Sequence, residues 1–186
     1  MPRALLRACL LGAGLAAALP ASAAPGIDLT TVAERSGFLR TGRYAETIAL
    51  CDAFARAYPD AVRCRDFGVS PEGRPMKLLV VTRTGAFDPD AAAARHLPVL
   101  LIQGGIHAGE IDGKDAGFLA LREVLEGKVA RGALGKQVWL FVPVFNVDGH
   151  ERFAAWNRPN QRGPEEMGWR ATAQDYNLNR DYMKVD

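Results

Sequence analysis

Two nearly continuous apolar runs, at residues 97–103 and 137–144, constrain the fold of this chain more than any other sequence feature. Runs of this kind are typical of strands that are covered on both faces of a sheet. Residues 114–126 lie between them and carry apolar side chains on one stripe, which predicts a helix. Strand, helix and strand in this order predict an α/β fold with a central mixed, largely parallel sheet and helices on both faces.

The segment before the first run predicts one more helix and two more strands. Apolar side chains at helical spacing predict a helix over residues 43–58. Turn-forming residues at 70–74 separate two β-branched and apolar stretches, so strands are expected at 62–69 and 76–82. The remaining residues are expected to be connections or loops, at 84–96 and from 145 onward.

The N-terminus has the features of a secretory signal peptide. Arg3 and Arg7 precede an apolar run at residues 10–19, and the small residues Ala-Ser-Ala follow at 21–23. This order predicts a signal peptide over residues 1–23 and export to the periplasm or the medium. The run is too short to span a bilayer, which takes ~20 residues, so no membrane span is expected after its removal. The alternative is an N-terminal core helix.

Charge excludes two classes of partner. The formal net charge is +2, and cleavage after Ala23 removes two arginines and no acid, so the mature chain has a charge of 0. A neutral chain gives no reason to expect nucleic acid or an anionic membrane as a partner.

Two cysteines, Cys51 and Cys64, remain after cleavage. Because thiols tend to pair outside the cytoplasm, a disulfide is expected, and the alternative is two buried free thiols. Two cysteines are too few for a structural zinc site, which takes four ligands.

Residues with metal-binding chemistry follow the first apolar run directly. His107 and Glu110 are separated by two residues, and imidazole nitrogen and carboxylate oxygen are both good zinc donors. In open α/β sheets, ligands bind just beyond the carboxyl ends of the strands. The alternative is a surface histidine beside a glutamate that interacts favourably with the dipole of the next helix.

Two further segments follow the second apolar run. Residues 146–149 read Asn-Val-Asp-Gly, which alone is turn chemistry. Trp169 and Arg170 precede residues 177–180, Asn-Leu-Asn-Arg, where an amide beside a guanidinium can hold a carboxylate by charge-assisted hydrogen bonds. For an isolated Asn-Arg pair, a surface arginine in a solvated loop is the simpler interpretation.

Together and in this order, the segments resemble the zinc carboxypeptidases of the carboxypeptidase A type. That family carries His-x-x-Glu, Asn-Pro-Asp-Gly, Trp-Arg and Asp-x-Asn-Arg, and the matching residues here are 107–110, 146–149, 169–170 and 177–180. Val147 stands where the family has proline, and Asn177 where it has aspartate. The resemblance implies a zinc-carboxypeptidase-like, or phosphorylase/hydrolase-like, fold over residues 24–186 that is incomplete on its C-terminal side.

The resemblance also implies roles for individual residues. His107 and Glu110 would be two ligands of one Zn²⁺ ion, and Arg170 would stabilise the oxyanion formed during attack on the peptide. Arg158 and Arg162 are the alternatives to Arg170. The family's pair for binding a free C-terminal carboxylate corresponds to Asn179 and Arg180.

Two parts of the family's site have no counterpart in these motifs, namely a second zinc-binding histidine and a downstream glutamate that acts as general base. His96 precedes the first apolar run, which puts it at the opposite edge of the sheet, and His150 stands where the family usually has an aromatic residue. Neither is expected to be the third ligand. We therefore expect the front half of a catalytic domain, with little activity of its own and with an exposed sheet edge.

The expected substrate is a peptide, or an amino-acid-capped cell-wall fragment, with a free C-terminal carboxylate. One alternative is a zinc amidohydrolase of the related deacylase branch, the succinylglutamate desuccinylases and aspartoacylases, which shares His-x-x-Glu and the Asn-Arg pair. Another is a non-catalytic remnant that binds carboxylates through Asn179 and Arg180. Residues 146–149 favour the peptidase.

Overall fold

A computed structural model describes residues 26–180, so the predicted signal peptide lies outside the described residues. In chain order the elements are α1 (Val32–Arg35), α2 (Tyr44–Ala57), β1 (Val62–Val69), β2 (Pro75–Val81), α3 (Pro89–Ala94), β3 (Val99–Gln103), α4 (Asp112–Leu125), β4 (Val138–Val142), α5 (Val147–Glu151), β5 (Ala154–Ala155) and β6 (Glu166–Met167). Within residues 26–180, no helix is long and apolar enough to cross a membrane.

Four strands form the main sheet, in the order β1-β2-β4-β3. The predicted mixed α/β fold is confirmed. Among the described strands, however, only β3 and β4 are parallel, with Val99 opposite Val138, while β1–β2 and β2–β4 are antiparallel. This part of the sheet is therefore less parallel than expected, because the turn at residues 70–74 folds β1 and β2 into a hairpin and only the β3–β4 connection carries a crossover helix.

Helices cover both faces of the sheet. On one face, α2 and α4 share a core with β2 and β4, in which Phe118 contacts the rings of Phe54 and Phe141. On the other face, Ala92 of α3 packs with Val80 and Val138. The side chains alternate between these two cores along β4, as the twofold period of a strand requires.

Two short helices occupy segments that the sequence analysis assigned to connections and loops. Helix α3 begins where the Asp88 side chain accepts a hydrogen bond from the Ala91 amide, with proline at its first position. Helix α5 begins at Asn146, whose side chain accepts from the Gly149 amide. The loop prediction was wrong at both places, because a capping side chain stabilised a helix of only one or two turns.

Strand β3 forms one edge of the described sheet. Val99, Leu100 and Leu101 are 53, 45 and 57% exposed. The prediction that this run is covered on both faces is wrong for these three residues, because they are about half-exposed in the described chain. The expected exposed edge is present in the described sheet, with apolar side chains of the kind that associate with further strands.

A disulfide joins the second helix to the first strand. Cys51 of α2 and Cys64 of β1 are bonded, with their sulfur atoms 2.05 Å apart. The Cys51 side chain is completely buried within the core between α2 and the sheet. The bond therefore attaches α2 to the sheet next to the hairpin.

Candidate active site

His107 and Glu110 lie in the loop between β3 and α4, at the carboxyl end of the parallel strand pair. The Glu110 amide donates a hydrogen bond to the His107 carbonyl at 2.9 Å, so this segment is a tight turn. The turn brings His107 Nδ1 within 3.1 Å of Glu110 Oε1. His107 is buried, whereas the Glu110 side chain is 47% exposed. The two donors therefore face one point at the border of the solvent.

Asn177 determines how the imidazole is oriented. Its Oδ1 lies 3.0 Å from His107 Nε2 and, being a carbonyl oxygen, accepts the proton of that nitrogen. Nδ1 is then the ring nitrogen that faces the Glu110 carboxylate, at 3.1 Å, and the one that would bind a shared metal ion. Two ligands of a tetrahedral zinc ion are about 3.3 Å apart at ordinary Zn–N and Zn–O distances. The donor pair fits that ion, and an outer carbonyl partner is usual for a metal-binding histidine.

Two arginines flank Glu110. Arg158 Nη2 donates to Glu110 Oε1 at 2.6 Å, while Arg170 Nη1 is 4.0 Å from the same oxygen. The Arg158 side chain is 11% exposed and that of Arg170 is 40% exposed. Burial alone would raise the pKa of Glu110, but the hydrogen bonds and charges of Arg158 and His107 lower it below its ordinary value. Glu110 is therefore held as a carboxylate.

Asn146 and Asp148 support the segments around the site. Asn146 Nδ2 donates to the carbonyls of Arg170 and Ala171, at 3.3 and 3.0 Å, and so fixes the backbone that carries Arg170. The buried Asp148 carboxylate accepts from Ser70 Oγ at 2.7 Å and from Arg74 Nη1 at 2.6 Å. It anchors the β1–β2 turn to the helix that begins at the end of β4.

Asn179 and Arg180 lie in a 3₁₀ turn, Leu178–Arg180, directly after Asn177. Both are exposed. Arg180 Nη1 donates to the Asn179 carbonyl at 3.0 Å, and within residues 26–180 it forms no ion pair. The structure thus brings together His107, Glu110, Arg158, Arg170 and Asn177, with the Asn179–Arg180 pair on the next turn of chain.

No group of three or more His, Cys, Asp or Glu side chains suited to a metal gathers anywhere in residues 26–180. His96 is exposed at the amino end of β3, opposite His107. His150 is buried, where its Nδ1 lies 3.3 Å from Glu151 Oε1 and its ring contacts Tyr44, and burial lowers its pKa. The described donor set is therefore the pair of His107 and Glu110.

The sequence of this region matches a known family. Residues 47–185, well over half of the chain, match the family model described as zinc carboxypeptidase. The chain belongs to the zinc carboxypeptidase family. The carboxypeptidase fold and the predicted resemblance are therefore confirmed, and all the site residues named above fall inside the matched range.

Two curated zinc carboxypeptidase relatives differ in what their names say of activity. Carboxypeptidase B of Helicoverpa zea is 28% identical over 138 residues, which cover 71% of this chain and 30% of that protein. The "inactive metallocarboxypeptidase ecm14" of Schizosaccharomyces pombe is 35% identical over 103 residues, 52% of this chain and 20% of that protein. The chain thus spans less than a third of either relative.

Solved structures agree with the fold. The metallo-carboxypeptidase from Burkholderia cenocepacia superposes with a TM-score of 0.54 at 24% identity, covering 76% of this chain and 33% of that one. At this identity the match establishes the fold, and the matched part is again about a third of the neighbour.

Arg158 and Gln161 both contact the turn at residues 107–110. Arg158 lies nearer to Glu110 than Arg170 does, although Trp-Arg is the pair that matches a family motif, and the choice of the arginine that stabilises the oxyanion stays a prediction. Gln161 Nε2 donates to the Gly109 carbonyl at 3.2 Å. No periodicity or spacing in the sequence reports these contacts, because they join a loop to a turn about 50 residues away.

Proposed function

We propose that this chain is the N-terminal portion of the catalytic domain of a zinc-dependent carboxypeptidase that removes residues from the C-terminal end of peptides. The observation that carries the proposal is the approach of His107 Nδ1 and Glu110 Oε1 to 3.1 Å, with Asn177 on the other ring nitrogen. Membership of the zinc carboxypeptidase family supports the same chemistry.

His107 and Glu110 would hold one zinc ion. When bound, zinc polarises a carbonyl and lowers the pKa of a coordinated water. Arg170 would donate to the oxyanion that develops on the scissile peptide, a contribution of about 3 kcal/mol for one well-placed donor. Its guanidinium suits this role because it is partly exposed and, within residues 26–180, has no closer carboxylate than Glu110 at 4.0 Å.

The selection of chain ends would fall to Asn179 and Arg180. Both are exposed, and an amide beside a guanidinium can hold a carboxylate by several charge-assisted hydrogen bonds. The substrate class is then a peptide or peptide-like molecule with a free C-terminal carboxylate. With His107 and Glu110 as the metal donors found among residues 26–180, the chain itself is expected to bind zinc weakly and to hydrolyse little.

Replacing His107 with alanine is expected to weaken zinc binding by at least about 10-fold, because it removes half of the donor pair. The measurement is competition for Zn²⁺ between the chain and a chromophoric chelator at pH 7. Glu110→Ala should give a loss of similar size.

His96→Ala is the matched control, since His96 is exposed at the other end of β3. It should bind zinc as the parent does. Equal zinc uptake by the parent and by His107→Ala would rule out the proposed site.

A non-catalytic carboxylate-binding protein is the second candidate. One relative is named as inactive, and a single donor pair within residues 26–180 agrees with weak metal binding. Binding without cleavage of a peptide with a free carboxyl end, when its amidated form does not bind, would favour this candidate. The deacylase alternative has less support, because the matching family model is that of the carboxypeptidases.

Export is proposed on two grounds. The charge, apolar run and small residues of the N-terminus occur in the order of a signal peptide, and the Cys51–Cys64 disulfide is stable in an oxidising compartment. Expression in a bacterium should yield a periplasmic chain that begins at Ala24. A cytoplasmic chain that keeps residues 1–23 would contradict export.

A further inference from the structure

The Arg158 side chain passes over Gly109 to contact Glu110, and it fits there because glycine has no side chain. A Cβ atom at Gly109 would lie 2.8 Å from Arg158 Cγ and 2.4 Å from the Gly168 carbonyl oxygen. The aliphatic stem of Arg158 therefore occupies the space where a side chain between His107 and Glu110 would otherwise stand. A hydrogen bond from Gln161 Nε2 to the Gly109 carbonyl fixes the same turn against the loop that carries Arg158.

The guanidinium of Arg158 is then fixed on the carboxylate. Its Nη2 donates to Glu110 Oε1, the same oxygen that lies 3.1 Å from His107 Nδ1. Its Nη1 is buried and has no hydrogen-bond partner within residues 26–180. A buried donor without a partner is unfavourable. The packing of the Arg158 stem and its hydrogen bond to Glu110 must therefore offset this cost and hold the side chain in place.

We infer that Arg158 is a positioning residue, which orients the Glu110 carboxylate toward His107, and that Gly109 is the residue that admits it. The inference rests on the proposed metal site. The inference gives the two arginines different roles. Arg158 orients the proposed zinc ligand Glu110, while the more exposed Arg170 can contact the substrate. Gly109 and Arg158 then act as one unit although they are 49 positions apart in the chain.

A metal-binding experiment on the whole chain tests this assignment without a need for turnover. Zinc affinity and the visible absorption spectrum of bound Co²⁺ are measured for the parent, Arg158→Gln, Arg158→Lys and Gly109→Ala. Removing an outer partner of a metal ligand typically lowers affinity by about 10- to 100-fold. We expect a loss of that size for Arg158→Gln, a partial recovery for Arg158→Lys, and a loss for Gly109→Ala because its methyl group would displace the Gly168 carbonyl as well as the Arg158 stem.

Two controls isolate the effect. Gly135→Ala adds a methyl group where a Cβ meets nothing within 4 Å, and Arg131→Gln removes an exposed charge whose Nε donates to the Gly127 carbonyl. Both should match the parent. Thermal unfolding of each variant shows that it folds, and if Arg158→Gln fails to fold, Arg158→Lys and Gly109→Ala carry the test.

Three results are informative. Parent-like affinity and Co²⁺ spectrum in folded Arg158→Gln and Gly109→Ala would overturn the inference and reduce Arg158 to loop packing. Tighter zinc binding by Arg158→Gln would also overturn it, since Arg158 would then be a cation that competes with the metal. If His107→Ala binds zinc as the parent does, the proposed site itself fails, which is a separate outcome.

Discussion

Replacing Lys114 with alanine is expected to lower the free energy of unfolding by about 3–5 kcal/mol, because it leaves the buried Asp115 carboxylate without its cation. Lys114 is 1% exposed on the first turn of α4. Its Nζ donates to Asp115 Oδ1 at 2.7 Å, to Glu46 Oε2 at 3.3 Å and to the Gly42 carbonyl at 3.2 Å. Asp115 also accepts from Thr41 Oγ1 at 2.6 Å, so the network joins residues 41–46 to the helix that follows the site.

Urea unfolding at pH 7 measures this loss. The double variant Lys114→Met/Asp115→Asn removes both charges and should recover part of the loss, because replacing both members of a buried pair with neutral side chains is far less costly than leaving one charge unpaired. Lys128→Ala is the control, since Lys128 is 64% exposed and a surface ion pair contributes at most about 1 kcal/mol. A change below 1 kcal/mol for Lys114→Ala would mean that water reaches the pair.

Replacing Phe118 with alanine is expected to cost about 3–5 kcal/mol, as for other large core side chains. Phe118 is 1% exposed in α4, with its ring centroid 5.8 Å from that of Phe54 in α2 and 5.3 Å from that of Phe141 in β4. It is therefore the side chain through which two helices and the sheet meet. Its loss leaves a cavity that neighbouring rings cannot fill without shifting.

Urea unfolding at pH 7 also measures the loss of stability in Phe118→Ala. Phe118→Leu should lose much less, because a smaller cavity remains. Leu39→Ala, at a residue that is 75% exposed, should change stability by less than about 0.5 kcal/mol. If Phe118→Ala and Leu39→Ala gave equal losses, the packing between α2, α4 and the sheet would not be the core of this fold.

Much of the architecture could be predicted from local pattern. The strand at Val62–Val69 was predicted with the bounds that the structure has, and α2, α4 and β4 differ by one or two residues at each end. Helix α3 also had readable signals, namely Asp88 followed by Pro89 and a run of alanines. The Ala-rich composition alone predicts a connection, but the capping side chain of Asp88 stabilises a helix there.

The burial of the β3 side chains and the contacts between distant loops could not be predicted from local sequence pattern. An apolar run such as 97–103 reports that a strand suits a covered position, but not whether the same chain covers it. The choice among Arg158, Arg162 and Arg170 likewise depends on the path of a loop. The proximity of His107 and Glu110 could be predicted from the sequence, because two side chains three positions apart at the end of a strand lie close together.

The open side of β3 in the described sheet would link growth of that sheet to completion of the proposed metal site. Parallel strands run in the same direction, so a further strand bonded to β3 in parallel would finish beside Gly104, one short loop from His107. Whatever residue stands at the end of such a strand would enter the neighbourhood of the imidazole as soon as the backbone pairs form. Burial of Val99, Leu100 and Leu101 would then stabilise the sheet and position a new donor in a single event.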